Sequence, residues 1–136
     1  MTEGAFMEET LGLAILGFGL IVAAAAAHHV QNASAKGALE RNVLIGLRTR
    51  ATLASDRAWH EGHRAAGPWL TAAVRAGYAT GLVTTVASLA AIAVDSALPL
   101  AWAVGAAGYT ALVALLITGT VKAHTVAKAV SEEAAR

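Results

Sequence analysis

The chain has 136 residues, enough for one domain; 57% of them belong to the AVILMFWYC set and only 14% are charged. A soluble domain carries about 25% charged residues, so a chain of mean hydropathy +0.58 lacks the polar surface to cover itself in water and reads as an integral membrane protein. The net charge of +1 lacks the basic excess that nucleic-acid binding calls for, and the absence of cysteine excludes disulfides and thiolate metal sites.

The first ten residues, MTEGAFMEET, contain Glu3, Glu8 and Glu9 and no Lys or Arg. A signal peptide needs a basic start, so the apolar run that follows is expected to be retained as a helix. Thr10 reads as its N-cap, with the acidic residues upstream favourable to the helix dipole. The first run, residues 11–30, is LGLAILGFGLIVAAAAAHHV. About 20 apolar residues cross a hydrocarbon core of about 30 Å, so it spans. Leu13, Ile15, Leu16, Phe18, Leu20 and Ile21 are expected to face lipid, with His28 and His29 at the interface.

Residues 31–68 read as a polar connection. Asn32 to Gly37 looks like a turn, and Asn42 to Leu47 is apolar but too short to span, which suits a re-entrant or interfacial piece. Thr52 or Ser55 caps a short helix running through Ala58, Trp59, Glu61 and Arg64, and Gly67-Pro68 marks a break. The second apolar run, residues 69–94, spans comfortably. Asp95-Ser96-Ala97 is a tight corner, with Ser96 capping and Pro99 tolerated in the first turn of the next helix. The third run, 98–121, is again of membrane length, and the mixed-charge tail 122–136 continues its helix before fraying. The expected fold is all-α: one domain over 1–136, three transmembrane helices, and a structured loop carrying a short helix between the first and second.

Lys and Arg fall at 36, 41, 48, 50, 57, 64, 75, 122, 128 and 136. With three spans, all ten lie on one side, in the connection, at the base of the second helix and in the tail. Basic residues concentrate on the cytoplasmic side of short loops, which puts the N-terminus outside and the connection and C-terminus inside.

Several groupings invite a functional reading. Gly77-x-x-x-Gly81 in the second run, and Gly105 and Gly108 in the third, let helix backbones approach closely, either to build a homo-oligomer or to pack the second helix on the third within one chain. Arg75 lies about two turns past Pro68, where a central charge costs about 2.5–3.5 kcal/mol. It is expected to snorkel to the headgroups or to pair with Asp56 or Glu61, an ion or substrate role being the alternative. His60 and His63, three residues apart, share a helix face, but HEGH is not the HExxH of a zinc protease, and no metal site is expected. Trp59, Trp69 and Trp102 suit an aromatic belt, the first two near the inner boundary and the third near the outer one. Trp59 is also four residues before His63, so the two can stack, and its role is either anchoring or structural within the polar segment. No nucleophile with a supporting base and no phosphate loop is present, so neither enzymatic activity nor a cofactor is expected.

The run Asn42-Val43-Leu44-Ile45-Gly46-Leu47-Arg48-Thr49, followed by Thr52-Leu53, Ser55, Trp59 and His63-Arg64, resembles the SdpI family of bacterial membrane proteins, over about residues 11–95. Those proteins share N-x-x-I-G-[IL]-R-T, then T-[LM]-x-S, a tryptophan and an H-R pair ahead of a transmembrane helix. The resemblance implies a plasma-membrane protein that gives immunity to a peptide toxin made by the cell's own kin, in some members also holding a transcriptional repressor at the membrane. Longer relatives carry a further transmembrane half before this domain, so the chain reads as a short form with a single SdpI-type domain.

The same motif has a physical reading of its own. Gly46 allows a backbone conformation or close approach that a side chain would block, and Arg48 offers a planar fork of donors. Thr49, Thr52 and Ser55 tie down the turn, against which Trp59, His63 and Arg64 present one side of a helix. Asn42, Gly46, Arg48, Thr49, Trp59, His63 and Arg64 are therefore the candidate partner-binding residues, with Gly46 and Thr49 leaning to structural locking and Arg48, His63 and Arg64 to binding. Beside the lipid bilayer, the partner is a peptide toxin or, as an alternative, a larger membrane complex in which the chain is an accessory subunit. A third reading, an oligomeric transporter, rests on Arg75 and the boundary histidines.

Overall fold

The computed structural model describes residues 3–41, 44–94 and 97–136. Three helices account for most of them: α1 Glu3–Ala35, α2 Asp56–Ala91 and α3 Ala97–Ala134. α1 and α3 are each long and apolar enough to cross a membrane.

Each helix is longer than its apolar run, for local reasons. α1 begins at Glu3, so Thr10 is no cap; it sits within the helix, buried, its hydroxyl donating to the Phe6 carbonyl at 2.9 Å. Ala, Met and Glu are strong helix formers, and they carry the helix upstream of Leu11. At the other end α1 continues to Ala35, so the expected turn shrinks to Lys36-Gly37. Gly37 has φ +66°; its N–H bonds the Ser34 carbonyl at 3.0 Å and the Ala38 N–H bonds the Ala33 carbonyl at 2.9 Å. That pair of bonds closes a helix on a left-handed glycine.

α2 is the larger departure. The expected short helix and the second span are one helix, continuous through Gly67-Pro68. A proline inside a helix removes one N–H and crowds the residue before it, but here that residue is glycine, which has no Cβ to clash. Ser55 caps the start, its Oγ accepting the Ala58 N–H at 3.1 Å. Pro99 lies in the first turn of α3, where its missing N–H costs nothing. The Asp95-Ser96 corner lies outside the described residues.

The helices contribute to two compact units, Met1–Ala25 with Val74–Val113, and Ala26–Ala73 with Ala114–Arg136. In the first unit the inward stripes are mostly small residues interspersed with leucine: Leu13, Gly17, Leu20 and Ala24 on α1, Gly77, Gly81, Thr84, Ser88 and Ala91 on α2, and Leu98, Ala101, Gly105, Gly108 and Leu112 on α3. A Cβ at Gly81 would lie 2.9 Å from the Gly17 carbonyl oxygen and 2.8 Å from Ile21, and one at Gly77 would lie 2.8 Å from Ala24. Gly105 faces Leu16 and Thr84, and Gly108 faces Thr80. Gly77 and Gly81 thus admit chiefly α1, while Gly105 and Gly108 of α3 pack on α2 as the spacing suggested, Gly105 meeting α1 as well.

The outward stripes are large and apolar. On α1 they are Leu11, Ile15, Phe18 and Val22, each more than half exposed, and on α2 Leu82, Val83, Val86 and Leu89. Leu13 and Leu20, expected at the lipid face, are instead buried at 0% and 1% exposure. An interior rich in small residues and an exterior of large apolar ones depart from the pattern of a soluble protein and suit hydrocarbon as the surrounding solvent. Arg75 is exposed on α2, and among the described residues no carboxylate pairs with it: Asp56 pairs with Arg41, and Glu61 with Arg64.

Candidate functional site

In the second unit the described parts of the connection, 36–41 and 44–55, fold back on the first turns of α2. Its anchor is Trp59, fully buried, whose indole N–H donates to the Leu39 carbonyl at 2.7 Å. One turn later His63 is 1% exposed, its ring centroid 4.1 Å from that of Trp59 and tilted by 46°. Both ring nitrogens of His63 are engaged. Nδ1 lies 2.9 Å from the Trp59 carbonyl, and Nε2 accepts the Leu47 N–H at 2.8 Å. An Nε2 that accepts a backbone N–H carries no proton, so the ring is neutral with its hydrogen on Nδ1, donated to Trp59. Burial pushes the imidazole below its ordinary value; the bond to the Trp59 carbonyl partly opposes this and the neighbouring His60 adds to it.

The chain reaches His63 only because residue 46 is glycine. Gly46 has φ +122°, and a Cβ there would lie 2.8–2.9 Å from the Trp59 ring and from His63 Nε2. The next turn is held by two threonines. The Thr52 hydroxyl accepts the Thr49 N–H at 2.9 Å and donates to the Leu47 carbonyl at 2.8 Å, while the Thr49 hydroxyl accepts the Thr52 N–H at 3.2 Å. Thr52 is fully buried. Beneath it Gly62 has no room for a side chain: a Cβ would lie 2.9 Å from the Ala123 carbonyl of α3 and 3.1 Å from Thr52 itself.

Arg41 closes the outer edge, with Nε on Asp56 at 2.8 Å and Nη1 on the Leu53 carbonyl at 2.8 Å. Arg48 reaches the Arg41 carbonyl at 3.4 Å. Arg64 points away from the interlock, paired with Glu61 at 3.1 Å. At the end of α1 the Gln31 amide donates to the Thr71 hydroxyl at 2.9 Å, joining α1 to α2.

The predicted residues therefore divide. Gly46, Thr49, Trp59 and His63 come together in one interlocked turn, and His63 spends both nitrogens on the backbone rather than on a ligand. Arg48 and Arg64 are exposed. Asn42 lies outside the described residues. Arg41, Leu39 and Gly62 were not singled out beforehand. Gly62 stands one residue before His63 on the helix, and a glycine in mid-helix is itself a sign of close approach. Among the described residues no three His, Asp or Glu side chains gather into a group that could hold a metal.

This interlocked turn lies within a stretch, residues 38–123, that matches the SdpI/YfhL protein family over well more than half of the chain. The chain belongs to the SdpI/YfhL protein family. The SdpI/YfhL match begins at Ala38, past α1, and ends at Ala123 in α3, so it lies further along the chain than the resemblance read from the motif and takes in the third helix. No curated protein and no solved structure matches the chain. With two helices apolar enough to span, SdpI/YfhL membership marks a membrane protein.

Proposed function

We propose that the protein crosses the membrane three times and protects its cell against, or senses, a membrane-active peptide. The observation that carries this reading is the family match over residues 38–123, which contains the whole of the interlocked turn. α2 supplies the third span through residues 69–91, its polar first half projecting beyond the bilayer as the base on which the connection is folded. Nine of the ten basic residues then lie on the cytoplasmic side, and Arg75 lies in the cytoplasmic end of the span, within reach of the headgroups. Arg48 and Arg64, both exposed, are the side chains offered to a partner, and Gly46, Thr49, Trp59 and His63 hold the turn in shape.

The test is deletion and complementation. A strain lacking the gene should become more sensitive to a peptide made by itself or its neighbours, and the wild-type gene should restore resistance. A double Arg48→Ala, Arg64→Ala variant present at normal level in the membrane should fail to restore it. Unchanged sensitivity across such peptides would exclude the immunity role.

A further inference from the structure

A groove of about 490 Å³ opens in the second unit between the end of α1 and the first half of α2. That volume lies within the range of about 300–1,000 Å³ typical of small-molecule sites. Lys36, His60 and Arg64 stand among its lining residues, with the polar side chains of Gln31 and Ser34 and the apolar Leu70. Among the described residues no acidic one lines it. Glu61 takes up one guanidinium N–H of Arg64, at 3.1 Å, out of the five that the group offers.

The end of α1 carries a partial negative charge, which the full positive charges of Lys36 and Arg64 outweigh. The carbonyls of Asn32, Ala33 and Ser34 are already bonded to the amides of Lys36, Ala38 and Gly37. What is left is a concave site with two permanent cations, hydroxyl and amide groups, and an apolar wall. That is the complement of a phosphate joined to a glycerol or an acyl chain. Gln31 to Lys36 follow directly on the apolar run of α1, and Leu70 opens that of α2. The groove thus falls where the hydrocarbon gives way to headgroups.

We propose that this groove binds the phosphate of an anionic phospholipid headgroup. The inference rests on the span placement given above and shares Arg64 with the proposed partner surface, while its readout, bound lipid, does not depend on protection against a peptide.

The full chain in neutral detergent, exchanged into mixed phosphatidylglycerol and phosphatidylcholine micelles, tests it by native mass spectrometry of retained lipid. The wild type should keep phosphatidylglycerol in preference to phosphatidylcholine. A Lys36→Gln, Arg64→Gln double variant should retain about tenfold less, while Lys36→Arg should retain it as the wild type does. Arg50→Gln, an exposed arginine outside the groove, should have no effect. Thermal melting of each variant shows that it is folded. In a second arm, inorganic phosphate is added to lipid-free protein: if it raises the melting temperature of the wild type but not of the double variant, and phosphatidylglycerol shows no preferential retention, the phosphate is a soluble one. Equal retention by the double variant and the wild type, or an equal loss in Arg50→Gln, overturns the proposal. Because the readout is bound lipid, its failure is distinct from failure to protect against a peptide.

Discussion

The imidazole Nε2 of His63 accepts the backbone N–H of Leu47 at 2.8 Å. One buried ring therefore joins a helix to a turn 16 positions earlier in the chain, and it does so only while that nitrogen is bare.

Protonation puts a hydrogen on Nε2 pointing at the Leu47 N–H, which breaks the bond and sets two donors against each other. In the unfolded chain the imidazole titrates near its ordinary 6.5, and in the folded chain lower. The unfolded state then binds more protons than the native state, so this contribution to stability is complete above 6.5 and is lost as pH falls through the lower, folded value. The melting temperature in detergent should drop between neutral and mildly acidic pH. His60→Gln should keep most of that slope; His63→Ala should flatten it and cost about 2–4 kcal/mol at neutral pH from two lost bonds and the space left beside Trp59.

Two glycines with positive φ should respond differently to a methyl group. At Gly37 there is open space around the added carbon, so Gly37→Ala should cost about 1 kcal/mol from backbone strain alone. At Gly46 the carbon meets Trp59 and His63, so Gly46→Ala should cost about 2–4 kcal/mol and alter the fluorescence of the buried tryptophan. Equal effects would mean that the turn does not press on the rings.

Thr52→Val keeps the shape of the side chain and removes its hydroxyl, leaving the Thr49 N–H and the Leu47 carbonyl short of partners. A loss of about 1–3 kcal/mol is expected, with Thr52→Ser losing less. Chemical denaturation of the three proteins side by side measures the difference.

In the first unit, Gly81→Val should destabilise the fold itself, because the space beside Gly81 is filled by Gly17, Leu20 and Ile21 of the same chain. Gly19→Ala, with nothing within 4 Å, should be neutral or stabilising by about 0.5–1 kcal/mol. If Gly81→Val altered only the oligomeric state, leaving the melting temperature unchanged, this assignment would fail.

The natural chain has no cysteine, so single cysteines report topology without background. Arg50→Cys should react with a membrane-impermeant maleimide only after the cells are opened, and Ser96→Cys in intact cells. The opposite pattern would reverse the proposed orientation.

What could be read beforehand follows from the range of each interaction. Apolar runs and the Trp59–His63 stacking depend on neighbours three or four residues apart on a helix, and the structure has both. The helix ends were misplaced where one local signal was trusted alone: Thr10 as a cap against strong helix formers on both sides, and Gly67-Pro68 as a break although glycine before proline relieves the clash. The Leu47–His63 bond, the Trp59–Leu39 bond and the seat of Gly62 on Ala123 join residues far apart in sequence, and single-chain periodicity carries no trace of them. For the same reason His63 looked like a ligand-binding residue: spacing identifies the face it occupies but not how deeply that face is covered.

Nearly every bond that shapes the turn ends on a main-chain atom of Leu39, Leu47, Thr49, Leu53 or Trp59. Apart from Gly46, Arg41 and the two threonines, the described side chains that face outward take no part in those bonds: Leu44 stands 91% exposed, and Arg50 is exposed as well. The turn is therefore a fixed frame with interchangeable fittings: a few residues hold its outline, and the surface it shows to the outside can be rewritten one position at a time while the outline stays as it is.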